Sequence, residues 1–284
     1  MKKQFMILFA TSLFIFHVSA KEIVSDNRCL QKVKIPAWSN KNKIIIFGES
    51  HGQKEVPELF FDVVCQTSEK LKETNKNLIV FLELPVEHNQ LEKSVQNFLS
   101  SEGKQEDINK LLENKFWMEY KDGRSSVATF RLLENLRRLI HVNKNIKVKP
   151  FAAYTKQDSN KDKSIEQIFA ETVEESFNKN NQPLSLLLVG SFHGNPKNPY
   201  SMGAILKPDV AYYHLASSGG SSWSCGGSRE VQICEASKIK RPYFADSDPA
   251  TSILTYDESG KVQQIINLGK VTASPPARDN IQIE

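Results

Sequence analysis

The sequence predicts an α/β protein with a mostly parallel central sheet flanked by helices and a β-rich C-terminal extension. Three observations support this fold class. Short apolar runs without polar alternation are typical of strands that are covered on both faces. Longer segments with apolar residues at helical spacing separate these runs, as crossover connections require. After residue 217 the chain becomes rich in Ser and Gly and then in β-forming residues.

The strands are predicted from five apolar runs. KIIIF, LIVFLEL and LSLLLV are nearly continuous, and IKVKPF and VAYYHLA are two further candidates; they occupy 43–47, 78–84, 184–189, 146–151 and 210–216. Helices are predicted where apolar residues recur every three or four positions. These segments are 57–74, 86–99, 106–116, 126–142 and 165–177.

The C-terminal extension begins at about residue 217 with SSGGSSWSCGGSREVQIC. The run ILTYDESGKVQQIINL, 253–268, indicates two strands around a turn. We interpret 21–273 as a single domain that includes this extension, and 274–284 as a tail.

The first twenty residues have the order of a secretory signal peptide. Lys2 and Lys3 precede an apolar run, and Val18-Ser19-Ala20 ends the segment. The alternative is an uncleaved membrane anchor, but the run of about 12 residues is shorter than the roughly 20 that span a bilayer. We therefore expect cleavage after Ala20, export to the periplasm or the medium, and no membrane span in the mature chain.

Charge and cysteine content restrict the partners and the compartment. Removing 1–20 deletes two lysines and no acidic residue, so the formal charge falls from +4 to +2, which gives no electrostatic basis for nucleic-acid binding. Four cysteines in an exported chain predict two disulfides, with three possible connectivities. Cys225 and Cys234 flank a plausible hairpin, which leaves Cys29 with Cys65.

Polar side chains follow three of the predicted strands where each strand ends. Glu49 and His51 lie in GESHG after KIIIF, Glu83 ends LIVFLELP, and His193 lies in GSFHG after LSLLLV. Ligands of open α/β sheets bind outside the carboxyl ends of the strands. We therefore expect these four side chains to share one edge of the sheet.

This set of residues suits a divalent metal such as zinc, manganese or cobalt, with a position left for water. The predicted ligands are His51, His193, Glu83 and Glu49. A single G-x-x-H motif is explained equally well by an ordinary polar turn, whereas two such motifs favour a functional site. The carboxylate within LIVFLELP also favours a functional site, because burying it is costly unless a positively charged group pairs with it.

Arg124, in DGRSS before the predicted helix over 126–142, completes the candidate catalytic set. Its guanidinium could bind a substrate carboxylate or phosphate, or it could pair with Glu49 or Glu83. The sequence leaves both roles open.

GESHG, the Glu of FLELP, FWMEYKDGRSSVATFRLLENLR and GSFHG together resemble a superfamily. It comprises ChaN-like haem-binding uptake proteins, Tiki/TraB-type proteins and erythromycin esterase-like hydrolases, and the resemblance covers about 42–216. The Tiki branch implies a metal-dependent peptidase with His51, His193, Glu49 and Glu83 at the metal. The esterase-like branch implies His51 as a general base. The ChaN branch implies haem binding through a tyrosine, which is not matched here.

Two functions follow as hypotheses. The first is a secreted metal-dependent hydrolase, peptidase- or esterase-like, that acts on a small molecule or peptide; its metal-free variant keeps His51 as the general base. The second is a haem- or iron-binding uptake protein without catalysis, which needs an apolar floor and an axial Tyr or His. A binding module whose ancestral site no longer turns over is a third possibility.

Overall fold

The computed structural model describes residues 29, 43–73, 76–84, 89–151, 162–179, 183–206, 210–227, 232–246, 253–258 and 261–281. The predicted signal peptide, 1–20, lies outside these residues. By its internal contacts the chain divides after residue 30. Only Cys29 of the first unit is described, so the fold below is that of the second unit.

The α/β class with a mostly parallel sheet is confirmed. Seven strands of the described residues form the central sheet. They are β1 Ile44–Glu49, β2 Leu78–Leu82, β3 Ile146–Pro150, β4 Leu184–Gly190, β5 Val210–Ala216, β8 Ile253–Glu258 and β9 Lys261–Asn267. Their order across the sheet is β3-β2-β4-β1-β5-β9-β8, and all neighbours are parallel except β8 and β9.

Most of the helices lie between parallel strands, and the last one follows all the strands. The helices are α1 Glu55–Lys72, α2 Asn89–Ser100, α3 Gln105–Leu112, α4 Lys115–Glu119, α5 Val127–Val142, α6 Ile165–Lys179, α7 Ser191–Gly194, α8 Met202–Ile205 and α9 Ala277–Asn280. The single helix predicted over 106–116 is two helices, because the Asn114 side chain accepts a hydrogen bond from the Phe116 N–H and starts a new helix.

The alternation of side chains along β1 explains why helices cover both faces of the sheet. Ile44 and Ile46 belong to a core cluster with Phe169 of α6. Phe47 points to the other face, where its ring packs against Phe60 of α1 with a centroid distance of 5.6 Å. Since successive side chains of a strand point to opposite faces, a continuous apolar run requires a helical layer on each side.

The β-rich C-terminal extension is confirmed, but part of it extends the central sheet. The β8–β9 hairpin joins at β5, and β9 runs parallel to β5. The remaining strands form a separate mixed sheet in the order β10-β6-β7; they are β6 Gly219–Gly227, β7 Gln232–Lys238 and β10 Lys270–Val271. The predicted hairpin disulfide joins Cys225 to Cys234, and Cys29 and Cys65 are each disulfide-bonded.

The segment after β10 returns along α5. The Val127 N–H donates to the Pro275 carbonyl at 2.8 Å, and the Ala277 N–H donates to the Ser125 carbonyl at 2.8 Å. Ala277 is fully buried. The part of the predicted tail that the structure describes, up to residue 281, therefore packs on the domain. No helix of the described residues is both long and apolar enough to cross a bilayer.

Candidate active site

The four residues predicted from the strand ends meet at one edge of the central sheet. Glu49 ends β1 and lies opposite Gly190, which ends β4. His51 follows β1, Glu83 follows β2, and His193 lies in α7 directly after β4. Parallel strands in this register bring their carboxyl ends to the same level, so residues distant in sequence become neighbours.

Glu83 lies at the centre of the site. Its Oε1 is 3.6 Å from Nε2 of His51 and 3.5 Å from Nε2 of His193, and its Oε2 accepts the Gly190 N–H at 2.6 Å. Burial alone would raise the pKa of this carboxyl. The hydrogen bond and charge of His51, the charge of His193 and the Gly190 N–H outweigh burial and lower the pKa of Glu83 to about 2.

His51 has a carboxylate on each side of its ring. Its Nδ1 is 3.0 Å from Oε1 of Glu49, while its Nε2 faces Glu83. Burial alone would lower the pKa of the imidazole. The charges and hydrogen bonds of Glu49 and Glu83 outweigh burial and raise the pKa to about 10.

His193 has the same arrangement with a carboxylate that the sequence did not single out. Its Nδ1 is 2.5 Å from Oε1 of Glu166, at the start of α6. The other oxygen of Glu166 accepts the Met202 N–H at 2.8 Å, and the residue is buried. Burial opposes protonation of His193, but Glu166 and Glu83 raise its pKa. An acidic residue in the first turn of a helix is common, so the sequence carried no distinguishing signal for Glu166.

The surroundings of both histidines favour the protonated ring. Both ring nitrogens of His51, and both of His193, face a carboxylate oxygen. A carboxylate only accepts hydrogen bonds, so these contacts favour a proton on each ring nitrogen. The raised pKa values of both histidines agree with this assignment.

Arg124 pairs with Glu83, one of the two roles that the sequence left open. Its Nη1 is 3.8 Å from Oε1 of Glu83. Asp122, which the sequence did not single out, accepts hydrogen bonds from Nε of Arg124 at 2.9 Å and from its Nη2. Burial would raise the pKa of Asp122, but the guanidinium lowers it. The side chain of Arg124 remains 23% exposed, so a ligand can reach it.

The β6–β7 hairpin fixes the backbone at His51. The Ser222 hydroxyl donates to the His51 carbonyl at 2.9 Å, and the Trp223 N–H donates to the Gly52 carbonyl at 2.9 Å. Gly52 has a φ of 84°, and a Cβ there would lie 2.0 Å from the Trp223 carbonyl oxygen. The second glycine of GESHG is therefore required by a left-handed conformation and a close backbone approach.

Ser191 connects the ends of β1, β4 and β5. Its hydroxyl donates to the Glu49 carbonyl at 3.1 Å and lies 3.0 Å from Nδ1 of His214. His214 is buried, and burial lowers its pKa. These contacts hold the backbone that presents Glu49 to His51.

A small cleft of about 20 Å³ opens beside these groups. The charged groups of Glu49, His51, Glu83 and Arg124 line one part of it, and the side chains of Pro57, Leu82, Leu84, Leu132 and Leu188 contribute an apolar part. The free space is about that of a water molecule, and it lies where the polar and the apolar parts of the lining meet.

The predicted metal ligands His51, His193 and Glu83 come together. A divalent ion at the two Nε2 atoms would have to displace the protons that the carboxylates favour there, and Arg124 adds positive charge near the same Glu83 oxygen. Glu49 contacts Nδ1 of His51, on the side of the ring away from Glu83. In the part of the chain that the structure describes, no three or more His, Cys, Asp or Glu side chains form a group that could hold a metal.

Sequence comparisons identify no family for this chain: no protein-family model matches it, and no curated protein does. Solved structures with a similar fold exist at low identity. A mutant of the erythromycin esterase EreC in its open conformation has a TM-score of 0.47 and 9% identity, over 70% of this chain and 77% of that chain.

Two other solved structures are similar to this chain. ChaN of Campylobacter jejuni with cofacially bound haem has a TM-score of 0.36 and 16% identity, over 62% of this chain and 82% of that chain. A protein from Bacillus cereus has a TM-score of 0.47 and 10% identity, over 83% of this chain and 90% of that chain. The similar solved structures thus include an esterase and a haem-binding protein.

Proposed function

We propose that this chain is a hydrolase, peptidase- or esterase-like, which cleaves a carbonyl substrate with its own acid–base groups. One observation carries the proposal. The imidazoles of His51 and His193 both direct Nε2 at the same oxygen of Glu83, and each has a second carboxylate behind it. Two N–H donors and one proton acceptor therefore meet at a single point in a cleft, as general acid–base catalysis requires.

Glu83 is the base of this mechanism. In the resting site its pKa of about 2 makes it a weak base. When a substrate carbonyl takes the N–H of an imidazolium away from Glu83, the pKa of the carboxyl rises towards its ordinary value. Glu83 then accepts a proton from the water whose oxygen bonds to the carbonyl carbon.

His51 and His193 are the donors. Their N–H groups stabilise the negative charge that develops on the carbonyl oxygen, and one of them protonates the leaving group as its bond to carbon breaks. The proton on Glu83 then returns to that imidazole, and the site is reset. This assignment reverses the general-base role expected for His51, because the raised pKa of its ring favours the protonated form.

The other charged residues orient these groups. Glu49 and Glu166 hold the two rings by Nδ1. Arg124, held by Asp122, can bind an anionic group of the substrate or the developing oxyanion. We therefore assign Glu49 the role of a positioning residue. The sequence alone predicts it to be a metal ligand.

We also place this activity outside the cytoplasm, in the periplasm or the medium. The two disulfides suit an oxidising compartment, and residues 1–20 have the order of a signal peptide.

The test is hydrolysis of p-nitrophenyl esters and peptide p-nitroanilides by the chain without residues 1–20. We expect His51→Gln and His193→Gln each to reduce the rate by about 100-fold or more. Because both residues act on one oxygen, the double variant should lose little more than either single variant. Wild-type rates in the double variant would contradict the proposal.

Haem uptake is the second candidate, and an exposed aromatic pair next to His193 favours it. Phe192 is 66% exposed and Tyr200 is 79% exposed. Asn198 connects them, since its side-chain N–H donates to the Phe192 carbonyl and its Oδ1 accepts the Tyr200 N–H. An exposed tyrosine beside an apolar ring can provide an axial haem ligand and a stacking surface.

A haemin titration tests this second candidate. Binding through Tyr200 should give a Soret shift that Tyr200→Phe abolishes. Tyr243→Phe is the matched control, because Tyr243 is 63% exposed and lies elsewhere in the sequence. Identical titrations of both variants and the wild type would remove Tyr200 as a ligand.

A further inference from the structure

A second cavity, of about 230 Å³, lies between α1, α5 and the segment after β10. Its lining is largely apolar, and the apolar contributors are Pro57, Val127, Ala128, Leu132, Ala273 and Pro275. Polar side chains line it as well, namely Lys54, Glu58, Arg131 and Asn135. We call this cavity the α1–α5 groove.

The groove adjoins the catalytic cleft. Pro57 and Leu132 line both cavities, and both residues are buried. The cleft is apolar on this side, where Leu82 and Leu188 continue the same lining. The two cavities therefore adjoin at Pro57 and Leu132.

The backbone of the groove wall is already hydrogen-bonded. The Val127 N–H donates to the Pro275 carbonyl, and the Ala128 N–H donates to the Ser274 hydroxyl at 2.9 Å. The Ser274 N–H donates to the Gly52 carbonyl at 2.9 Å. A peptide bound along this wall could not form hydrogen bonds with these N–H groups, because they already donate to other acceptors. A hydrocarbon chain needs no hydrogen bonds to bind there.

We propose that the α1–α5 groove binds the apolar acyl chain of the substrate whose carbonyl group reacts at Glu83. The inference rests on the proposed function and specifies its substrate class as esters or amides of medium-chain, unbranched acyl groups. Each methylene that enters the groove should tighten binding by roughly fourfold, the value expected for burial of one methylene.

Ligands that cannot be hydrolysed test the groove separately from catalysis. We would titrate the chain without residues 1–20 with straight-chain methyl ketones, from 2-butanone to 2-nonanone, by NMR. Affinity should rise by roughly fourfold per methylene until the groove is full. A constant affinity along the series would overturn the inference.

A variant that fills the α1–α5 groove tests whether the ketones bind there. Val127→Trp fills the groove from its half-buried wall and should remove the gain for the longer ketones. Asn135→Trp, from the half-exposed rim, is a second blocking variant in case the first does not fold. Val142→Trp is the matched control, because Val142 is 61% exposed and ends the same helix. Retention of the chain-length gain in a folded blocking variant would overturn the inference.

A series of p-nitrophenyl esters separates the two proposals. Chain-length-dependent ketone binding without hydrolysis of any ester or peptide p-nitroanilide would support the groove and contradict the hydrolase. Hydrolysis at equal rates from acetate to octanoate, with equal ketone affinities, would support the hydrolase and overturn the groove.

Discussion

His51 and His193 approach the same carboxylate oxygen from the ends of two neighbouring strands. Their Nε2 atoms lie 3.6 Å and 3.5 Å from Oε1 of Glu83. Each imidazolium raises the acidity of Glu83, and Glu83 in turn favours the protonated form of each ring. The protonation states of the three groups are therefore coupled, and a change at one of them is measurable at the others.

Glu83→Gln should reduce hydrolysis by about 100-fold or more, because an amide cannot accept the proton of the attacking water. The pKa of His51 should fall from about 10, since the variant removes one of the two carboxylates that raise it. The measurements are kcat and an NMR titration of the imidazole. Glu113→Gln, at an exposed position, is the control. A His51 titration that is unchanged in Glu83→Gln would contradict the coupling.

The stability that this coupled pair provides should be greatest between about pH 4.5 and pH 6.5. The folded pKa of His51, about 10, lies above its ordinary value of 6.5, so its contribution is complete below pH 6.5 and is lost as the pH rises through about 10. The folded pKa of Glu83, about 2, lies below its ordinary value of 4.5, so its contribution is complete above pH 4.5 and is lost as the pH falls through about 2.

Urea unfolding at a series of pH values tests this dependence. Between pH 6.5 and pH 10 the wild type should lose on the order of 2 kcal/mol more unfolding free energy than His51→Gln. This value is smaller than the full shift implies, because the His51 side chain is 24% exposed and solvent screens its charge. Equal losses in the two proteins would show that His51 is not held as an imidazolium.

The main candidate residues were predictable from sequence because they follow apolar strands. In a parallel sheet the carboxyl ends of the strands share an edge, which brings Glu49, His51, Glu83 and His193 together. Glu166 and Asp122 were not predictable. The first lies in the first turn of a helix and the second in a turn, where acidic residues are common. Only the tertiary fold places them against His193 and Arg124.

The same limit applies to the fold. Helices and strands followed from local periodicity, but the order of the strands depends on contacts between distant segments. The run 253–268 indicated a hairpin, yet nothing local showed that β9 would pair in parallel with β5 and extend the central sheet. The interruption between α3 and α4 at Asn114 was also not predictable from sequence, because the helical spacing of apolar residues continues across it.

Removal of metal ions should leave the activity unchanged. A divalent ion at the two Nε2 atoms would have to displace a proton from each imidazolium, so its apparent affinity would rise about 100-fold per pH unit and would be weak at neutral pH. We would compare rates before and after EDTA treatment and measure the metal content of protein purified without chelator. Loss of activity with EDTA, and its recovery with zinc, manganese or cobalt, would instead support the metal-dependent alternative.

Gly52→Ala should disrupt both stability and catalysis. The positive φ of Gly52 costs roughly 1–3 kcal/mol for a residue with a side chain. The added Cβ would also lie 2.0 Å from the Trp223 carbonyl oxygen, which belongs to the backbone and cannot rotate away. Because His51 precedes Gly52 and its carbonyl accepts a hydrogen bond from Ser222, relief of this clash should move the imidazole away from Glu83.

Gly226→Ala is the matched control for this variant, since it lies in the same hairpin as Trp223. A Cβ at Gly226 would meet no atom within 4 Å, so its unfolding free energy should stay within about 0.5 kcal/mol of the wild type. Gly52→Ala should lose about 2 kcal/mol or more in urea unfolding, and its kcat should fall while that of Gly226→Ala does not. If both variants retained wild-type stability and kcat, the hairpin would not be what holds His51 in place.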